Sequence, residues 1–140
     1  MRDQYADLAR DYDWLYSDRL QAGNRQARAA ATTLATVEGP RVLDCACGTG
    51  ILALALARHG YETAGTDASP EMISQATAHA EREQVPVSLS ACTWTDLPKR
   101  FEREFDFVFC GGNSIGHCEN EAEMVASLAG MRAVLKPGGH

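Results

Sequence analysis

Segments of strand character and segments of helix character alternate along this chain, and no other feature limits its possible folds as strongly. The strands are predicted at residues 42–46, 61–66, 85–91 and 105–110. The helices between and after them are predicted at residues 49–59, 70–82 and 119–135. Such alternation requires crossover connections between parallel strands, with helices packed on both faces of the sheet. We therefore predict an α/β fold with a doubly wound, mainly parallel sheet.

Local signals mark where the helices begin and end. An alanine-rich helix is predicted from Leu20 to Val37, and Gly39-Pro40 ends it. Ser69 is predicted to cap a helix, because proline follows it at the first helical position. Pro86 removes one backbone donor from the third strand, which fits an edge position. In the last helix, apolar residues recur at helical spacing: Met124, Val125, Leu128, Met131 and Leu135.

The size and charge of the chain exclude several classes of partner. Its 140 residues predict one domain with a core of its own. With 13 basic and 19 acidic residues the net charge is −6, so the chain has no general attraction to nucleic acid or to an anionic membrane. The longest apolar run, at 51–57, is too short to span a bilayer, and the first residues resemble no signal peptide. We expect a cytoplasmic protein that acts on a small molecule.

The cysteines do not form a recognisable metal site. There are five of them, at positions 45, 47, 92, 110 and 118, and none form a C-x-x-C pair. The ligand spacing of a zinc site is therefore missing, and no metal is expected. Reduced, buried thiols in a cytoplasmic protein are the simpler interpretation.

The loop after the first strand carries the first chemical signal. It contains Asp44, followed by small residues at Ala46, Gly48 and Gly50, which allow a ligand to approach the backbone. The spacing is not G-x-G-x-x-G, so a nicotinamide site fits poorly. A carboxylate at this place repels a pyrophosphate and suits a ligand with an ammonium group. The alternative is a sharp turn that the carboxylate caps.

A second carboxylate follows the second strand. Asp67 ends that strand, where it is placed to accept hydrogen bonds from both ribose hydroxyls of a nucleoside. Met72 lies one turn into the next helix, where it is predicted to cover an adenine face or to pack in the core. The aspartate before Ser-Pro is also common in ordinary turns.

These segments resemble class I S-adenosylmethionine-dependent methyltransferases. VLDCACGTG at 42–50 is similar to the first motif of that family, TDAS at 66–69 to its acidic motif, and LKPGG at 135–139 to the turn before its fifth strand. The resemblance implies S-adenosylmethionine as cofactor and S-adenosylhomocysteine as product. It implies that the loop residues Ala46, Gly48, Gly50, Ala68 and Cys110 contact this cofactor.

A narrower resemblance is to the glycine and sarcosine N-methyltransferases. DQYAD at 3–7, alanine at 46, Thr93-Trp94 and GNSIGH at 112–117 are similar to that group. The resemblance implies that Trp94 lies against the adenine, with Thr93 standing where the group has asparagine. Gly111 replaces a usual leucine, which changes the shape of the pocket for the donor's methionine.

The same resemblance extends to residues near the reacting groups. It implies that Tyr5 and Tyr16 lie near the donor methionine and the substrate, and that Arg25 meets the donor carboxylate. Asn113 and His117 match residues close to the reacting end. Each has a simpler alternative. In these alternatives Trp94 fills the end of the sheet and the two tyrosines pack in an amphipathic helix. Arg25 would be a solvated charge, and His117 a loop residue without a role.

Together these signals predict methyl transfer to a small amine or amino acid, with Tyr16, Asn113 and His117 as the catalytic candidates. A small-molecule O-methyltransferase remains an alternative. Two others are a nucleotide-binding oxidoreductase, which Asp44 and the missing glycine motif disfavour, and a non-catalytic protein that keeps cofactor binding.

The resemblance also predicts the layout of the chain. Residues 1–40 would form an N-terminal helical cap segment, and 41–140 the S-adenosylmethionine-binding half of a methyltransferase domain. The family's seven-stranded sheet implies that this sequence supplies four strands in the order 3-2-1-4 and is C-terminally incomplete. Strand four would then lie at an open edge, so we expect self-association through that edge. We also expect weak turnover, because residues that contact the acceptor are missing.

Overall fold

The described residues form one sheet of four parallel strands in the predicted order. The computed structural model describes Ala9, Asp11 and residues 18–140; Tyr5 and Tyr16 lie outside the described residues. The order across the sheet is β3-β2-β1-β4. Its strands are β1 (Arg41–Asp44), β2 (Glu62–Asp67), β3 (Ser88–Ala91) and β4 (Phe107–Phe109).

Five α-helices accompany the sheet in the described part of the chain. They are α1 (Arg19–Leu34), α2 (Ile51–Arg58), α3 (Pro70–Glu83), α4 (Leu97–Arg100) and α5 (Glu121–Ala133). The predicted cap of α3 is confirmed, because the Ser69 side chain accepts a hydrogen bond from the Met72 backbone N–H. Among the described residues, no helix has the length and apolar character needed to cross a membrane.

Neighbouring residues of β1 pack into separate cores on the two faces of the sheet. Val42 packs with residues of α1 and α2, whereas Leu43 packs with Trp94, Phe105 and Met131 of α5. This alternation follows from the period of two in a strand. It confirms the predicted helical layers on both faces of the sheet.

The strands are shorter than the apolar runs that predicted them. β3 begins at Ser88, so Pro86 precedes the strand instead of lying within it. β4 begins at Phe107, and the Asp106 carboxylate just before it accepts the Arg41 backbone N–H at 2.8 Å. Three short helical segments were not predicted: 3-10 helices at Trp94–Asp96 and Ser114–His117, and α4.

Helix α5 buries a different face from the one its apolar spacing suggests. Met124, Val125 and Leu128 are 38%, 59% and 51% exposed. The buried positions are Ser127, Gly130 and Met131. Of the five predicted apolar positions, Met131 is buried and Leu135 half-buried, whereas the three earlier ones face outward.

Close contact with the turn at Trp94 explains this orientation. A Cβ atom on Gly130 would lie 2.0 Å from the Trp94 carbonyl oxygen. Only glycine allows this approach, so α5 must turn Gly130 toward Trp94. The contact also holds Trp94 at the carboxyl end of the sheet.

β4 lies at the edge of the sheet, as predicted, but the expectation that this edge is wholly unpaired is wrong. The His140 N–H donates to the Asp106 carbonyl at 2.9 Å, and the Val108 N–H donates to the His140 carbonyl at 2.8 Å. Leu135 also forms a parallel bridge with Phe105. Residues 135–140 thus pair with the first part of β4, and self-association through the remaining edge stays a prediction.

Candidate functional site

The candidate site lies where β1 and β2 end side by side. Asp44 is the last residue of β1 and Asp67 the last of β2. The two strands are hydrogen-bonded neighbours in parallel register, with Asp44 opposite Gly65. Both carboxylates therefore reach the same edge of the sheet, the edge at which parallel α/β sheets bind ligands.

The loop between β1 and α2 lies close to α3. Gly50 has φ +88°, and a Cβ atom there would lie 2.6 Å from Leu54 Cδ1 and 3.3 Å from Ala76 Cβ. A larger residue would suffer both backbone strain and overlap. The small residues of the loop thus let it pack tightly against α2 and α3.

Asp67 joins the loop to the start of α3. One carboxylate oxygen accepts the Gly48 N–H at 2.9 Å, and the other accepts the Ser69 N–H at 2.9 Å. Asp67 is half-buried. Asp67 thus orders both segments at the place where the two strands end.

Asp44 lies in a far less polar environment. It is 3% exposed, and burial raises its pKa from 3.8 to about 7, with a smaller contribution from the charge of Asp67. The backbone N–H groups of Ala46 and Ala53 act in the opposite direction. Asp44 is therefore a carboxylate whose charge is costly until a cation approaches it.

A cavity of about 760 Å³ opens beside Asp44. Its walls come from residues 26–33 of α1, residues 44–52, and residues 109–117. The structure brings five of the predicted site residues into this lining, namely Asp44, Ala46, Gly48, Asn113 and His117. Asp44 is the only carboxylate among the described residues that line it.

The residues predicted to surround the nucleoside lie outside this lining. Trp94 is 8% exposed, and its indole N–H donates to the Cys45 carbonyl at 2.7 Å. Met72 is 2% exposed. The Thr93 hydroxyl is exposed and donates to the Asp96 carboxylate at 2.8 Å. Their contacts with an adenine stay predictions, as do the cofactor contacts of the exposed Ala68 and the half-buried Cys110.

The structure does not bring Arg25 to the cavity. Arg25 is exposed on α1, and its guanidinium donates to Gln21 Oε1 at 2.9 Å, one helical turn away. Gln26, the next residue, lines the cavity instead. This position fits the alternative in which Arg25 is a solvated charge.

Arg19 is a residue that the sequence reasoning missed. Its guanidinium donates to the Thr49 hydroxyl at 2.9 Å and to the Thr49 carbonyl at 3.1 Å. It thereby joins the start of α1 to the glycine loop. One signal was available in the sequence, since a cation in the first turn opposes the helix dipole and needs another reason to be there.

The sequence of the chain is similar to those of known methyltransferases. Residues 42–139 match the family profile described as a methyltransferase domain. The chain is 35% identical over 126 residues to a glycine/sarcosine N-methyltransferase of Parasynechococcus marenigrum, covering 87% of this chain and 45% of that protein. It is 34% identical over 104 residues to a ubiquinone biosynthesis O-methyltransferase of Coxiella burnetii, covering 74% of this chain and 42% of that protein.

A solved structure shares the fold. It is an S-adenosylmethionine-dependent methyltransferase from Clostridium acetobutylicum, with a TM-score of 0.74 and 22% identity, covering 96% of this chain and 55% of that one. The chain spans less than half the length of the two curated relatives.

Proposed function

The chain belongs to the methyltransferase domain family, and on that premise we propose that it binds S-adenosylmethionine and transfers the methyl group to a small amine or amino acid. The observation that carries the proposal is Asp44, a carboxylate 3% exposed in the wall of the cavity. A buried carboxylate beside a glycine loop suits a ligand whose amino group is cationic. It does not suit the pyrophosphate of a dinucleotide.

The described residues fit this cofactor in two halves. We propose that Asp67 accepts the ribose hydroxyls, while Trp94, Met72 and Thr93 border the adenine together with Ala68. For the methionine half we propose Asp44 and the loop residues Ala46, Gly48 and Gly50, with Cys110 beside them. Asp67 already binds the Gly48 N–H, so it couples the two halves.

Methyl transfer requires the protein mainly to position the cofactor and the acceptor. The cofactor supplies an activated methyl group on a sulfonium, which needs neither a metal nor a covalent enzyme nucleophile. The chain's residues have to hold the acceptor in line with it, and such alignment lowers the barrier by several kcal/mol. Asn113 and His117 line the cavity, and we propose that they border the acceptor with Tyr16. For Tyr5 and Arg25 the proposal of a donor contact rests on the resemblance alone.

An amine acceptor is favoured over an oxygen acceptor by the short segments shared with the glycine and sarcosine enzymes. The O-methyltransferase alternative is supported by the Coxiella burnetii relative. An assay of S-adenosylhomocysteine formation with glycine, sarcosine and a catechol separates the two. We expect product with an amine. Product with the catechol alone would favour the alternative, and cofactor binding without any product would favour a non-catalytic protein.

Trp94 gives an optical test of the nucleoside half. Because its indole binds the Cys45 carbonyl at 2.7 Å, a ligand that orders this loop should change its fluorescence. Trp14 is the only other tryptophan, so the measurement uses a Trp14→Phe variant. We expect a saturable change with S-adenosylhomocysteine. A flat signal under saturating ligand would leave Trp94 as a plug at the end of the sheet.

A further inference from the structure

Two cysteines follow directly after neighbouring strands. Asp44 pairs with Phe109 in the parallel register of β1 and β4, so the next residue on each strand, Cys45 and Cys110, stand opposite each other. The Cys45 N–H donates to the Phe109 carbonyl at 2.8 Å, which extends the pairing to this point. Both side chains pack in the core that contains Trp94, and they therefore lie on the same face of the sheet.

This arrangement meets the geometric requirement of a disulfide. Adjacent strands lie about 4.8 Å apart, and disulfides join residues whose Cα atoms are about 4.4–6.8 Å apart. Residues in parallel register also direct their Cβ atoms the same way. Bond formation would need rotation of the side chains and only small movement of the backbone.

The two thiols differ in exposure and in acidity. Cys45 is 1% exposed, whereas Cys110 is half-buried. A hydrogen bond between them lowers the pKa of Cys110 and, together with burial, raises the pKa of Cys45. Burial also raises the pKa of Cys47 and of Cys92. Cys110 is therefore the thiol of the pair that ionises more readily and that an oxidant reaches.

We propose that Cys45 and Cys110 form a dithiol that hydrogen peroxide converts into a disulfide, and that this bond weakens cofactor binding. In the first step the Cys110 thiolate attacks one peroxide oxygen; an S–O bond forms, the O–O bond breaks, and hydroxide leaves and becomes water. The Cys45 sulfur then loses its proton and attacks the sulfenic sulfur; the S–S bond forms, the S–O bond breaks, and a second water leaves. The thiols lose two electrons and the peroxide gains them.

The position of the pair explains the effect on binding, a part of the inference that rests on the proposed function. Cys45 begins the loop that contains Ala46 and Gly48, and Cys110 precedes the loop that contains Gly111 and Asn113. All four of these loop residues line the cavity. A disulfide would tie the two loops together at their base, so a ligand that needs them apart binds less well.

The bond itself is tested on the full chain without any ligand. Peroxide treatment followed by intact mass measurement and peptide mapping should show loss of two hydrogens and a Cys45–Cys110 cross-link, reversed by dithiothreitol. Cys110→Ser and Cys45→Ser should each abolish it. Cys118→Ser is the matched control, because Cys118 is half-buried against the same core; this variant should still form the bond. A cross-link from Cys110 to another cysteine, or none at all, would overturn the proposal.

The regulatory effect is tested by titrating S-adenosylhomocysteine into the reduced and the oxidised chain. We expect oxidation to weaken binding by about 5- to 150-fold, the usual range of coupling between two sites. Cys110→Ser should bind equally with and without peroxide. Equal affinity of the reduced and cross-linked wild-type chain would overturn the regulatory effect and leave the dithiol intact. Failure of the reduced chain to bind would refute the proposed function, while the mapping still decides the chemistry of the pair.

Discussion

Asp67→Ala is expected to weaken binding of S-adenosylhomocysteine by about 10- to 150-fold, which corresponds to the roughly 1.5–3 kcal/mol of a hydrogen bond to a charged group. The ribose hydroxyls lose their acceptor. The Gly48 and Ser69 N–H groups also lose their acceptors, the two carboxylate oxygens of Asp67, each of which lies 2.9 Å from one of these nitrogens. Adenosine should lose affinity by a similar factor, because it carries the same ribose.

Asp67→Asn is the matched control for the local structure. The amide oxygen still accepts one backbone N–H, so the loop remains partly anchored while the charge is removed. We expect an affinity between those of the wild type and Asp67→Ala, measured by calorimetry at equal folded fraction. A dissociation constant unchanged in Asp67→Ala would remove Asp67 from the ribose site.

Asp44→Asn is expected to change two properties in opposite directions. The buried carboxylate, 3% exposed, should be stabilised by the ammonium of the ligand. Loss of the carboxylate should therefore weaken binding of S-adenosylhomocysteine by tenfold or more, where each factor of ten corresponds to roughly 1.4 kcal/mol. Adenosine, which lacks that ammonium, should bind almost as before. The free protein should become more stable, because a buried charge without a cation is removed.

The pH dependence of stability follows from the same carboxyl. Its pKa in the folded chain, about 7, lies above the ordinary 3.8, so the folded state holds the extra proton between these values. Stability of the wild type is therefore lost as the pH rises through this window, by up to roughly 4 kcal/mol. Denaturant melts should show the advantage of Asp44→Asn growing from about pH 4 to about pH 7 and staying constant above it. If Asp44→Asn lost the same affinity for both ligands and were less stable than the wild type, Asp44 would act through folding alone.

The layout of the sheet could be predicted because it depends on signals that lie close together in the sequence. Alternating strand and helix patterns indicate a parallel sheet, and Ser69-Pro70 indicates a helix start without reference to the rest of the chain. The carboxyl ends of β1 and β2 follow from this layout. The sequence alone therefore predicts that Asp44 and Asp67 lie at one edge of the sheet, and the register of β1 and β2 confirms it.

Other features depend on contacts that are distant in sequence. The face that α5 buries is set by Gly130, where a Cβ atom would lie 2.0 Å from the Trp94 carbonyl oxygen. Apolar spacing alone indicates a neighbouring face that shares only Met131 with the buried positions of the helix. The Asp106 carboxylate at the start of β4 accepts from the Arg41 backbone N–H and from Lys136, partners 65 and 30 positions away. Arg19 reaches Thr49 across 30 positions of sequence, a distance over which spacing rules carry no information.

Calorimetric titration of S-adenosylhomocysteine into the chain tests the central claim most directly. The cavity beside Asp44 is lined by residues 26–33, 44–52 and 109–117, and three residues of the proposed methionine site, Asp44, Ala46 and Gly48, are among them. We predict saturable binding at a single site, stronger than that of adenosine, and weak or absent binding of NAD. Tight binding of NAD, or no binding of either S-adenosylmethionine or S-adenosylhomocysteine to the folded chain, would contradict the account.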